Sequence, residues 1–180
     1  MIRAREVLDR FGVAPASYEI VPHPRAANAE SAAQLSHVRG RQLAVARLVH
    51  DPRGQLYELV TPASEHLDLD VARRVLGVDD LEPASPAEIA RAFPGCDPEA
   101  LPPFGTRAGV PTVLDLCFFE RAEEDPDATI WFEAGNHLEL VAMPFAEFRR
   151  RAGPFAHEAC LHDRPRLARV ASHGGRGALP

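Results

Sequence analysis

Lysine is missing altogether from this 180-residue chain: all 20 basic residues are arginine. No lysine can serve as a catalytic amine or an anion anchor, so any such duty falls to arginine, whose guanidinium is a planar fork rather than a point charge. Bulk positive charge is lacking too. The net charge is −6 with histidines neutral, which excludes a general DNA or RNA binder held by a basic surface, though not a local patch gripping one end of an RNA. No apolar run approaches the roughly 18–20 residues of a membrane span. The opening residues, Met1 to Glu6, lack a signal peptide's apolar block, so a cytoplasmic protein without membrane partners is expected. The three cysteines, Cys96, Cys117 and Cys160, are an odd, scattered set without a CxxC pair, which argues against a disulfide framework. Cys160 stands between His157 and His162, but a fourth ligand at zinc-finger spacing is absent. Neither metal nor cofactor is therefore expected. Phosphate loops, dinucleotide fingerprints, nucleophile elbows and HExxH are also absent.

What is present reads as one globular domain, 46% apolar and 26% charged. Helical spacing over 2–11 stops at Gly12, and a strand around Tyr18–Val21 ends at Pro22 and Pro24. Asn28 caps a second helix that ends before Gly40. The runs 43–50 and 55–61 flank Asp51, Pro52, Arg53 and Gly54 and predict a hairpin. A helix over 68–76 ends at Gly77. Ser85, Pro86 and Glu88 form a capping box with proline at the first helical position. The Pro/Gly-rich stretch 97–109 is long enough to be a functional loop. Strands are predicted at 113–119, 128–132 and 138–143, with an acidic turn at 123–127 and a helix opening at Pro144. Without a βαβ rhythm, a doubly wound sheet does not fit. The expected fold is mixed α/β, a twisted, partly antiparallel sheet or barrel with flanking helices. One domain would occupy 1–156, and 157–180 a polar, loosely ordered tail.

Four segments occur in order: SAAQLSHVRGRQLAVARLV at 31–49, LVTPASEHLDL at 59–69, LPPFG at 101–105 and IWFEAGNHLELVAMPFAEF at 130–148. Together they resemble the YbaK and prolyl-tRNA synthetase-associated editing family, whose members hydrolyse the ester joining a wrong amino acid to tRNA. The resemblance implies that fold, a mischarged tRNA 3′ end as partner, and an aminoacyl-tRNA synthetase as a further one. It leaves the oligomeric state open.

The resemblance also implies a lysine on a strand facing the pocket. Anchoring that strand on Val38 and Gly40 before it and Gly54 and Pro62 after it, with no gap, puts the lysine position at Val45. Strand alternation places Leu43, Val45, Arg47 and Val49 on one face, so Arg47 is the cation beside the vacated position. Two readings of Arg47 stand open: pairing with a carboxylate or a solvated edge, or supplying the charge that lysine supplies in relatives. The family's pocket loop, G-x-x-x-P-F-G, is matched by Pro103, Phe104 and Gly105, but Glu99 replaces its first glycine. Its position against the pocket is implied by the resemblance, as is that of Pro62, Ala63 and Ser64 and of Gly135, Asn136 and His137. His137 is the candidate general base or donor, against a structural histidine. Ser64 is as good a cap as a nucleophile. The functions expected are a trans-editing deacylase using Arg47 and His137 or, because Val45 replaces lysine, a non-catalytic module binding an amino-acid-like ligand, a tRNA end or a protein.

Overall fold

A computed structural model describes residues 2–162. Eight strands, β1 (Glu19–Pro22), β2 (Leu43–His50), β3 (Leu56–Pro62), β4 (Glu82–Pro83), β5 (Thr112–Leu114), β6 (Thr129–Glu133), β7 (Glu139–Pro144) and β8 (His157–Glu158), form one mixed sheet. Its order is β1-β7-β6-β2-β3-β5-β8, with β4 also on β2. The β2/β3, β6/β7, β1/β7 and β2/β4 pairs are antiparallel; β2/β6, β3/β5 and β5/β8 are parallel. Among the described residues the sheet stays open, so of the two architectures expected, twisted sheet or barrel, it is the sheet. Six helices accompany it: α1 (Ala4–Arg10), α2 (Ala29–Leu35), α3 (Leu69–Leu76), α4 (Pro86–Ala92), α5 (Leu116–Glu124) and α6 (Phe145–Ala152).

Local chemistry sets most boundaries. Asp51 Oδ1 accepts the N–H groups of Arg53 and Gln55, both at 2.9 Å, and Gly54 takes a positive φ, closing the β2–β3 turn. Asn28 caps α2 through the Ser31 N–H, Asp68 caps α3, and Ser85 with Glu88 forms a reciprocal capping box on α4. One expectation fails: 113–119 is not a single strand. β5 ends at Leu114, and the buried Asp115 accepts the Cys117 N–H at 2.9 Å to start α5, which absorbs the expected acidic turn as far as Glu124. An apolar run of that length suits strand or helix equally, and the aspartate cap decides.

Strand parity then divides the packing. Even positions of β2, Ala44, Ala46 and Leu48, enter the main core with Phe93, Phe104, Phe132 and Phe148. Odd positions face the other side, where Leu43 joins a cluster under α2 with Ala32 and Ala33. Val49 joins another with Leu59 and Ala72 of α3. Between these two clusters Val45 is half-buried and Arg47 exposed. Residues 157–162 run along the sheet as well: β8 pairs with β5, and Leu161 and His162 are buried. Residues 163–180 lie outside the described residues.

Candidate functional site

The stretch of β2 left uncovered between α2 and α3 forms the floor of a groove of about 340 Å³. Val45 and Arg47 lie in it, Asn28 and Ala29 form one wall, Pro83, Ala84 and Ile89 another, and Pro98 and Glu99 a third. The loop holding Glu99 is fixed in two ways: Leu101 bridges to Ala46 on the edge of β2, and Asp97 Oδ1 accepts the Glu99 N–H at 3.1 Å.

Arg47 Nη1 donates to Thr61 Oγ1 at 3.2 Å, and among the described residues no carboxylate lies within ion-pair distance of its guanidinium. Thr61 is the direct cross-strand partner of Val45, so Arg47 leans back along the strand toward the position opposite Val45. Partial burial lowers its pKa from the ordinary arginine value, yet a guanidinium remains charged at neutral pH. Glu99 shares the groove without pairing to Arg47. Among the described residues no carboxylate pairs with Arg47, and its exposed side chain lines the groove.

A neighbouring cavity of about 310 Å³ is lined by Arg25, Gly95, Cys96, Asp97, Gly135, Asn136 and His137. The chain segments 25–29 and 95–99 contribute to both hollows. His137 is buried between two carboxylates, with Nδ1 2.9 Å from Glu133 Oε1 and Nε2 3.4 Å from Asp97 Oδ1. Burial raises the Glu133 pKa, with the His137 hydrogen bond opposing it. Asn136 donates to the Ile2 carbonyl and to Glu139 Oε2, while Glu139 accepts the Ala4 N–H that opens α1. Asn136 therefore ties down the N-terminal helix. Gly135 has φ +89°, and a Cβ there would sit 2.6 Å from Ile2.

The remaining candidates lie elsewhere. Pro103 is buried, and Phe104 is buried in the main core, 6.0 Å and stacked on Phe11 and edge-on to Phe132 and Phe148. Gly105 packs against Glu58: its N–H donates to Glu58 Oε2 at 2.8 Å, and an added Cβ would meet that oxygen at 2.7 Å. The Pro-Phe-Gly run thus anchors its loop to the core, while Pro98 and Glu99 face the groove. Pro62 is buried and Ala63 donates its N–H to the Leu43 carbonyl. Ser64 is exposed, packs beside Gly40, and has no hydrogen bond to a histidine among the described residues. Thr61, next to Pro62 on the stretch the resemblance sets at the pocket wall, orients Arg47, whereas Asp97 and Glu133, which flank His137, escape the sequence reading. Only Glu133 had a signal, four residues before His137 at the end of β6.

This fold, with a half-covered strand presenting a cation to a groove, defines a pocket-bearing mixed α/β domain. Residues 23–150, more than half of the chain, match the family model of the aminoacyl-tRNA editing domain. The chain belongs to that family. Among solved structures, a candidate trans-editing enzyme for prolyl-tRNA synthetase superposes with TM-score 0.69 at 23% identity, covering 89% of this chain and 97% of the other. A hypothetical protein superposes with TM-score 0.66 at 17% identity, covering 86% and 96%. A scaffold from work on computational epitope grafting gives TM-score 0.70 at 23% identity, covering 90% and 97%. At these identities the structures establish the fold. No match was found among curated proteins. Among the described residues no helix is long and apolar enough to cross a membrane.

Proposed function

We propose that the protein is a trans-editing aminoacyl-tRNA deacylase acting in the cytoplasm on mischarged tRNA, and that Arg47 takes over the electrostatic duty of the absent lysine. The observation that carries this reading is the Arg47 guanidinium, which faces the groove with one hydrogen bond to Thr61 and, among the described residues, no carboxylate at ion-pair distance. A partly desolvated cation without a counter-charge suits an incoming anion, either the terminal phosphate or the oxyanion that forms on the ester carbonyl. Water adds to the carbonyl carbon, the bond to the ribose oxygen of the terminal adenosine breaks, and free amino acid and intact tRNA leave. His137 holds the loop through Asp97; the longer Nε2 contact is the one a substrate hydroxyl would exchange, making this imidazole donor or base. An aminoacyl-tRNA synthetase is the natural source of the substrate.

The test is deacylation of tRNAs mischarged with alanine, cysteine or serine. Wild type accelerates hydrolysis of at least one, and Arg47→Ala loses about 10²–10³-fold, the scale of removing one oxyanion donor, with an unchanged circular dichroism spectrum. No acceleration of any of the three defeats the proposal.

A second reading, a non-catalytic module for an amino-acid-like ligand, tRNA end or protein, is favoured by Val45 and by Glu99. It predicts an inactive wild type that gains hydrolysis on Val45→Lys.

A further inference from the structure

The sequence offers Cys160 and His162 as two isolated candidate ligands, and the fold brings them partners from two other stretches of chain. His162 is buried and directs Nδ1 at Asp115 Oδ2, 3.0 Å away. Asp115 is itself fully buried and fixed, since its oxygens accept the Cys117 N–H at 2.9 Å and the Leu161 N–H at 2.8 Å. The other ring nitrogen, Nε2, has Cys117 Sγ at 3.9 Å and Glu65 Oε2 at 3.8 Å, while Cys160 Sγ lies 3.8 Å from both ring nitrogens and donates to the His162 carbonyl at 3.2 Å. Ligand atoms of Asp115, Cys160 and His162 lie within 4.8 Å of one another.

We propose that Cys117, Cys160, His162 and Glu65 bind a zinc-class divalent cation, with Asp115 as the hydrogen-bonding carboxylate behind the histidine. Three observations converge. The donor set is two thiolates, one imidazole and one carboxylate, which is the preference of zinc and not of magnesium or calcium. A zinc tetrahedron with bonds of about 2.3 Å to sulfur and 2.0–2.1 Å to nitrogen separates its donors by roughly 3.4–3.8 Å; the three contacts to Nε2, at 3.8–3.9 Å, are slightly wider, so the cation would draw Cys117, Cys160 and Glu65 inward. A histidine that ligates zinc through one nitrogen ordinarily donates the other N–H to a carboxylate, which fixes its tautomer; the fully buried Asp115 already does this for His162. Access exists as well, because His162 and Glu65 line an open hollow of about 550 Å³ with His66 and Asp68. His157, exposed on β8, takes no part.

The cation would clamp the segment after β8 to the start of α5 and to the loop before α3. This places it away from the Arg47 groove, and the proposal stands whether or not the protein deacylates tRNA. The site has no spacing signature because its ligands come from 65, 115–117 and 160–162.

The test uses the full chain, treated with a chelator and then equilibrated with zinc or cobalt. Wild type is expected to retain one equivalent of zinc after gel filtration. Its cobalt form should show the intense visible bands of a tetrahedral site and a thiolate charge-transfer band. Cys160→Ser and Cys117→Ser should each weaken binding more than the roughly 10–100-fold that losing a partner behind a ligand costs, and abolish the charge-transfer band or halve it. Cys96→Ser should change neither. These serine variants replace one atom, so they keep the test open should His162→Ala fail to fold. Zinc should raise the melting temperature of wild type and not of Cys160→Ser. Substoichiometric zinc in wild type, a six-coordinate cobalt spectrum, or binding indifferent to both serine variants would overturn the proposal.

Discussion

Glu58 on β3 points into the main core with 0% exposure, and among the described residues it has no basic partner. Its Oε2 accepts the Gly105 N–H at 2.8 Å and the Thr112 hydroxyl at 3.0 Å, while Oε1 is without a hydrogen-bond partner. Burial pushes its pKa up to about 8, and the two hydrogen bonds only partly oppose that. The folded protein therefore keeps this carboxyl protonated across a range where the unfolded chain, at the ordinary value of 4.5, has lost the proton. The unfolded state binds fewer protons there, so stability falls as pH rises, at about 1.4 kcal/mol per pH unit. The loss begins above 4.5 and levels off once the folded form ionises near 8. Glu58→Gln removes the titration while its amide oxygen can still accept from Gly105 and Thr112. From about pH 5 to about pH 7 wild type should lose roughly 3 kcal/mol relative to the variant, or ~6–12 °C in melting temperature for a domain of this size. The readout is the change in this difference with pH. A constant offset, such as an unpaired amide N–H where Oε1 stood, does not enter it. Urea and thermal denaturation across that range suffice as the assay. Parallel profiles for the two proteins would refute a protonated buried Glu58.

Two glycines give further checks. Gly105→Ala places a methyl 2.6 Å from Thr112 Oγ1 and 2.7 Å from Glu58 Oε2, and since both neighbours are buried, chemical denaturation should register a loss of about 1–3 kcal/mol; an unchanged midpoint contradicts the packing. Gly135→Ala combines φ +89° with a Cβ 2.6 Å from Ile2 and 3.0 Å from Val7, so a loss of at least about 1 kcal/mol, with faster amide exchange in α1, is expected.

Where the sequence carries local chemistry, the fold is legible in it. The Asp51–Gly54 turn, the Asn28 and Asp68 caps and the Ser85/Glu88 box need only neighbours within four residues, and each appears where its residues stand. The two-residue strands β4 and β8 are too short for any periodicity, and α5 was hidden because the run around Asp115 suits a strand until the aspartate turns back to cap. Strand parity placed Val45 and Arg47 on one face, but it could not say that α2 and α3 would cover the positions on either side and leave those two open. Nor could spacing foretell that Phe104 and Gly105 serve the core, since that follows from Phe11, Glu58 and Phe148, remote in sequence.

The departure from the lysine that the family resemblance implies at position 45 is smaller in space than in sequence. Two residues along a strand separate Cα atoms by about 7 Å, enough by itself to move a charge out of a reactive geometry. Arg47 offsets much of that distance by leaning back until Nη1 lies 3.2 Å from Thr61 Oγ1. Thr61 stands directly across from Val45. The positive charge therefore ends beside the position from which a lysine at 45 would project. What differs is the head group: a guanidinium tied to a threonine hydroxyl has fewer free N–H donors and a fixed plane, whereas an ammonium turns freely. If the groove hydrolyses esters, it does so with a cation held in one orientation. Arg47→Lys should then restore little of what Arg47→Ala removes, because a lysine at 47 keeps the charge without the fork that reaches Thr61.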